Sequence, residues 1–191
     1  MPSLPAPPPE APLSIATPAL DALRDTLPDD LKDIRLNLSS VLAGENLTPA
    51  QALGTALASA RFLRCHPLVE ALESDLRAGL ADAAPAVFSD GLAAAGLMAM
   101  NTVYYRFRHM IRKESYDARP PRLRMSRMIQ PATTKLDFEL MSLACAALAG
   151  CELCLQNHEK SLLHVGASED ACHDAVRIAA VVSAVACGLP A

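Results

Sequence analysis

Apolar residues recur at spacings of three and four along most of the chain, the period of helices that bury one face. Leu20, Leu23, Leu27, Leu31, Ile34 and Leu38 form the first such stripe, which Pro28 is expected to break into two short helices. Thr48 followed by Pro49 has the form of an N-cap with proline in the first turn. It opens an Ala-rich helix to about residue 62, whose small side chains predict close helix contact. Further helices are expected over residues 67–81 and 85–112, the second with an interruption near Gly96 or Asn101. Within it, Met98, Met100, Tyr104, Tyr105 and Phe107 form a stripe that reads as core, with a pocket or subunit contact as the alternative. Thr134-x-x-Asp137 has the capping pattern, and the helix it starts should run to residue 149 with Leu136, Leu140, Leu143, Ala144, Ala147 and Leu148 buried. Gly150 ends that helix, another follows to about residue 165, and Ser168 with Glu169 and Asp170 caps a last one that closes at Gly188. The fold class is all-α.

Length and composition narrow this picture. A chain of 191 residues suffices for one domain with a full hydrophobic core. Residues 1–18, rich in proline, are expected to be a disordered or polyproline-like tail, and residues 19–191 the helical domain. A net charge of −4 argues against nucleic acid as a partner. No apolar run is expected to reach a membrane span, since the stretch around Ala93 to Met100 is short and Arg106 and Arg108 follow it. The first residues lack the charged start and unbroken apolar core of a secretory signal, so the expected compartment is the cytoplasm. Positive charge concentrates between Arg106 and Arg127, where Pro120 and Pro121 must interrupt any helix. A solvated, ion-paired face is the plainer reading there and a docking surface for an acidic partner the other.

The chemistry concentrates in Gly150-Cys151-Glu152-Leu153-Cys154-Leu155-Gln156-Asn157-His158. On a helix beginning at or near Cys151, the two cysteines fall three apart on one face, with His158 four beyond Cys154. Positions i and i+3 of a helix meet the Cα separation of roughly 4.4–6.8 Å that a disulfide needs. The free N–H groups of a first turn favour a thiolate, and His158 offers a second way to remove the proton. In a reducing compartment this pair is catalytic or metal-binding rather than a permanent staple. The helix terminus favours Cys151 as the thiolate, whereas the place of His158 favours Cys154. If the helices flanking Gly150 fold back as a hairpin, Glu139 approaches the dithiol. Cys65, Cys145, Cys172 and Cys187 are read as buried small hydrophobes, and His66, His109, His164 and His173 as ordinary polar residues.

The arrangement Glu139, Cys151-x-x-Cys154, His158 resembles the active site of the alkyl hydroperoxide reductase AhpD family, in the carboxymuconolactone decarboxylase-like superfamily. Asp33-Ile34-Arg35-Leu36-Asn37-Leu38-Ser39-Ser40, Met98-Ala99-Met100-Asn101-Thr102-Val103-Tyr104-Tyr105-Arg106 and Asp137-Phe138-Glu139-Leu140 are similar to that family in the same order, so the resemblance runs from about residue 20 to the end. Between the cysteines this chain has Glu152-Leu153 where well-known members carry a histidine, and a carboxylate there tends to raise the Cys151 thiol pKa. The resemblance implies an all-α domain with the CxxC at a helix N-terminus, assembled as a homotrimer. It implies reduction of organic hydroperoxides, and of the peroxiredoxin AhpC, with electrons from the lipoyl group of a dihydrolipoamide acyltransferase. Cys154 would form the sulfenic acid, Cys151 would be the proton donor and resolving thiol, His158 the relay and Glu139 the general base. No tightly bound cofactor, metal or flavin is implied, and dihydrolipoamide is the electron donor. The rivals are a zinc module using Cys151, Cys154 and His158 with His164 or Cys172, a non-redox lactone decarboxylase, and a protein that only bridges partners.

Overall fold

The computed structural model describes residues 14–189, and among them every regular element is helical. In chain order the helices are α1 (Pro18–Asp25), α2 (Lys32–Leu42), α3 (Pro49–Phe62), α4 (His66–Leu80), α5 (Ala84–Ile111), α6 (Glu114–Asp117), α7 (Ser126–Ile129), α8 (Lys135–Leu148), α9 (Glu152–His164) and α10 (Glu169–Gly188). Short 3-10 turns lie at Asp29–Leu31 and Ala81–Ala83.

The core is built on α3 and α8. Each buries an unbroken run rather than a stripe, residues 52–60 in α3 and 138–146 in α8. A helix buried on all sides must be surrounded: α4, α5, α8 and α10 pack round α3, and α5, α9 and α10 complete the shell of α8. Small residues make the approach possible, because a Cβ on Gly54 would lie 2.8 Å from Met141 Cε across the α3–α8 contact. Both helices start at capping boxes, Thr48 with Gln51 and Thr134 with Asp137. The Gln51 side chain also donates to Asp137 Oδ1 at 2.9 Å, tying the two starts together.

Two buried aspartates hold the periphery. Thr17 does not cap α1 with its side chain; the Ala19 and Leu20 amides donate instead to Asp75 of α4, at 3.0 and 2.9 Å. Asp90 of α5 is fully buried and accepts from Arg127 Nε at 2.9 Å, Ala132 N at 3.0 Å and both N and Oγ1 of Thr133 at 2.7 Å. Burial pushes the Asp90 pKa up, but the hydrogen bonds from Ala132 and Thr133 and the Arg127 charge outweigh it and hold the carboxyl below its ordinary value. The segment that leads into α8 is thereby pinned to α5.

Pro28 separates α1 from α2, and residues 118–125, around Pro120 and Pro121, form no helix, both as the sequence predicts. Other expectations change. Helix α5 runs without interruption through Gly96 and Asn101, because burial of Ala94, Ala95 and Met98 outweighs a glycine penalty of about 1 kcal/mol. Of its expected core stripe only Met98 is buried; Met100, Tyr104 and Tyr105 are half-buried and Phe107 is exposed. At 28 residues, twice the 14 of α8, the C-terminal half of α5 outruns the helix it packs against.

Ala147 and Leu148 are half-buried rather than buried, since they fall in the last turn of α8, where the chain reverses, and Leu136 is half-buried in its first turn. Cys145 and Cys172 are buried, but Cys65 is only half-buried and Cys187 is exposed near the end of α10. Of the expected Pro-rich tail, residues 1–13 lie outside the described residues. The remainder is not a tail: Ile15 packs on the core against Gly79, where a Cβ would lie 2.5 Å from Ile15 Cγ2, and Pro18 opens α1.

In the basic stretch Arg108 pairs with Asp117 and Arg127 with Asp90, while Arg112, Lys113, Arg122 and Arg124 are exposed without a carboxylate partner among the described residues. Two stretches, His66–Ile111 and Glu169–Gly188, each hold an 18-residue window of mean hydropathy 1.4, where no span-length apolar run was expected. Buried bundle helices share that composition: Ile178, Val182 and Val185 of α10 lie in the core, and α10 packs against α2, α3 and α8.

Candidate active site

The turn from α8 to α9 sets the site. Gly150 adopts φ +62°, the left-handed conformation that glycine enters without penalty. Gly150 N donates to Ala147 O at 3.0 Å and Cys151 N to Ala146 O at 3.2 Å, the paired bonds of a Schellman C-cap. Arg106 of α5 donates to Ala149 O at 2.6 Å and satisfies another carbonyl that the ending helix leaves open. Cys151 then becomes the N-cap of α9, with no side chain capping the first-turn amides, and Cys154 stands in that first turn. The two sulfurs are joined as a disulfide, with the Cα atoms 5.3 Å apart. Both cysteines are buried, 1 % and 6 % exposed, in a small apolar cluster with Ala146 against Tyr105 and Leu155.

The hairpin brings Glu139 of α8 to His158 of α9. Glu139 Oε2 lies 2.6 Å from His158 Nδ1, and His158 Nε2 lies 3.2 Å from the Met98 sulfur of α5. Lys135, one turn before Glu139, reaches its Oε1 at 2.5 Å and donates to Met128 O at 2.8 Å. Burial pushes the Glu139 pKa up, but the hydrogen bonds from His158 and Lys135, with their charges, prevail and hold it below the usual glutamate value. Glu139 is therefore a carboxylate that can only accept, and the hydrogen on His158 Nδ1 points at it.

A cavity of about 230 Å³ opens beside this pair, lined by Cys154, His158, Glu139 and Asn101 and roofed by Tyr105, Met125, Met128 and Leu153. All four residues singled out from the sequence are thus in one place, with Cys151 behind Cys154. Glu152, whose charge beside Cys151 is unfavourable on sequence grounds, is exposed and turned outward, 3.8 Å from His109 and 3.3 Å from Gln156, so water screens it from the sulfurs. The remaining thiols are unlike this pair: burial raises the Cys145 pKa far above the ordinary thiol range, and burial followed by Glu159 and Glu169 raises that of Cys172. Among the described residues no group of three or more His, Cys, Asp and Glu side chains stands close enough to hold a metal ion.

Lys135, Asn101, Met125 and Met128 join the site without having been expected there, whereas Met98 and Tyr105 reach it as the pocket alternative for the α5 stripe allowed. Lys135 carries a local signal, since a cation four residues before a glutamate on one helix faces it. The others come from α5 and from the segment around the start of α7, and no spacing within the sequence connects them to the dithiol.

The Carboxymuconolactone decarboxylase family matches residues 116–187, from within α6 to the end of α10. Over longer stretches the chain is similar to proteins named Alkyl hydroperoxide reductase AhpD. It is 54 % identical over 171 residues to that of Anaeromyxobacter dehalogenans (strain 2CP-C), covering 90 % of each chain. It is 42 % identical over 173 residues to that of Rhodopseudomonas palustris (strain BisB18), covering 91 % of this chain and 94 % of the relative. With the one from Methylobacterium sp. (strain 4-46) it shares 44 % over 170 residues, 89 % of this chain and 95 % of the relative. At such identity over nearly the whole of both sequences, the chain belongs to the AhpD family of the carboxymuconolactone decarboxylase group.

Proposed function

We propose that the protein is a dithiol peroxidase that reduces organic hydroperoxides, and the peroxiredoxin AhpC, with electrons from dihydrolipoamide carried by an acyltransferase. The observation that carries this reading is the Cys151–Cys154 pair at the start of α9, beside a buried Glu139–His158 pair and a cavity of substrate size. In the reduced enzyme the Cys154 proton passes to His158 Nε2, whose lone pair is free while Nδ1 donates to Glu139; once protonated, Nε2 can donate to the Met98 sulfur. Glu139, the expected base, keeps its charge between Lys135 and His158; it orients the imidazole and stabilises its charged form. The Cys154 thiolate attacks the terminal oxygen of the hydroperoxide, forming the S–O bond as O–O breaks, and the alkoxide takes a proton to leave as alcohol. Cys151 condenses with the sulfenic acid, releasing water and forming the disulfide, and a dithiol restores both thiols by exchange.

The roof of Tyr105, Met125, Met128 and Leu153 suits the alkyl part of such a substrate. Tyr105 and Leu153 also border an outer groove with Arg108, His109, Arg112, Glu114 and Asp117; Arg108 is paired with Asp117, so the cations left for an acidic lipoyl domain or peroxiredoxin are the exposed Arg112 and its neighbour Lys113. The assembly proposed is a homotrimer in the cytoplasm. Val103, Phe107 and Met110, 65 %, 42 % and 70 % exposed on one side of α5, are a surface that further copies of the chain would cover.

Trapping with a sulfenic-acid reagent assigns the thiols. Cys151→Ser lacks the resolving thiol and should accumulate label at Cys154 after one equivalent of hydroperoxide. An unlabelled Cys154 in that variant, together with label at Cys151 in Cys154→Ser, reverses the roles.

A further inference from the structure

Asn101 of α5 is 4 % exposed and stands outside the Glu139–His158–Cys154 set. Its Nδ2 lies 3.8 Å from the Met128 sulfur, a weak acceptor, and its Oδ1 has no hydrogen-bond partner among the described residues. A buried carbonyl oxygen left unpaired costs free energy until a donor reaches it. Thr55 Oγ1 and Ser142 Oγ are unpaired as well, but they lie inside the α3 and α8 packing; of these residues Asn101 alone lines the cavity that contains Cys154.

We infer that the Asn101 carboxamide binds the terminal O–H of an organic hydroperoxide and aims that oxygen at Cys154. The inference rests on the peroxidase reading above. A hydroperoxide has one donor, and it sits on the oxygen that the thiolate attacks. The terminal torsion of asparagine is broad, so the carboxamide can turn to present Oδ1 to the cavity and accept that hydrogen, giving up only the weak contact of Nδ2 with the Met128 sulfur. With the O–H held and the alkyl group against Met125, Met128 and Tyr105, the O–O bond has a fixed direction relative to Cys154 Sγ. Sulfur donates its electron pair to the terminal oxygen and the O–O pair departs with RO⁻, which is protonated to ROH from the His158 side. The hydrogen bound by Asn101 stays on the oxygen and becomes the sulfenic O–H, so one hydrogen bond spans the step.

The test separates the two half-reactions in Asn101→Leu, which keeps the branched shape and removes the acceptor, and in Asn101→Ala should the bulkier leucine impair folding. Stopped-flow oxidation of the reduced protein by tert-butyl hydroperoxide should slow about 10- to 100-fold in second-order rate constant, the size of one hydrogen bond lost at a buried site. Reduction of the Cys151–Cys154 disulfide by free dihydrolipoamide, which has no such O–H to bind, should slow far less, and thermal stability should not fall. Unchanged oxidation overturns the assignment, as does an equal loss in both half-reactions together with lowered stability, which marks a structural residue. A wild-type dithiol inert to hydroperoxide sinks the peroxidase reading and this inference with it, whereas a reactive wild type with an equally reactive variant sinks the inference alone.

Discussion

Glu139 Oε2 stands 2.6 Å from His158 Nδ1, with both side chains almost completely buried and nineteen residues apart in the chain. The pair exists because Gly150 turns α8 back along α9, and it gives the imidazole a fixed orientation and a stabilised charged form. Glu139→Gln keeps the shape and removes the charge. Turnover should then fall on the order of 10²-fold, the usual scale for an acid–base group. The Cys154 thiol titration, followed by pH-dependent alkylation of the reduced protein, should move to higher pH, with activity partly recovered as pH rises. His158→Gln should do the same. An unchanged titration and rate in Glu139→Gln contradicts the relay.

Lys135 shares the carboxylate with His158, so Lys135→Met should raise the Glu139 pKa by removing one of its two cationic partners. Lys135 is partly exposed, and its contribution to folding is correspondingly screened. The expected signature is kinetic: the acidic limb of the pH–rate profile moves to higher pH in Lys135→Met, because Glu139 now protonates earlier. A profile that scales down without moving would leave Lys135 as a support for Met128 alone.

Asp90 makes stability depend on acid. Its folded pKa is depressed, so its contribution is complete above the unfolded aspartate value of about 3.9 and is lost as pH falls through the lower folded value. Asp90→Ala leaves the Ala132 and Thr133 amides without their acceptor and should cost about 2–4 kcal/mol near neutral pH. Denaturant melts of both proteins between neutral pH and pH values of about 3 should converge as the wild type loses what the variant never had. Parallel curves would show that Asp90 is not the group responsible.

The local part of this architecture is written in short segments of sequence. Thr134-x-x-Asp137, Gly150 and Ser168 place the ends of α8, α9 and α10, and the hairpin at Gly150 brings Glu139 to His158 with no further information. What encloses the site is not local. Met98 and Asn101 arrive on α5, and Met125 and Met128 on a segment held by Asp90, through helix packing that leaves no mark in spacing. Burial at Ala147, Leu148 and Phe107 departs from expectation for the same reason. The helical period says which side faces inward but not where the neighbouring helix stops.

The outer groove beside Leu153 carries Arg108 and Arg112 with Glu114 and Asp117, and Arg112 and the adjacent Lys113 have no carboxylate partner among the described residues. If a protein-borne lipoyl group approaches there, its rate of disulfide reduction should fall with added salt more steeply than that of free dihydrolipoamide, because screening acts on the charged carrier. Equal salt dependence would show that the groove is not the docking route.

Whether Cys151 and Cys154 form the redox couple is measured most directly by mass spectrometry after alkylation, which counts thiols at each of the six cysteines before and after one equivalent of organic hydroperoxide. Cys151 and Cys154 should lose their alkylation together, Cys65, Cys145, Cys172 and Cys187 should keep theirs, and dihydrolipoamide should restore the pair. Retention of alkylation at Cys151 and Cys154, or its loss at the exposed Cys187 instead, would contradict the assignment.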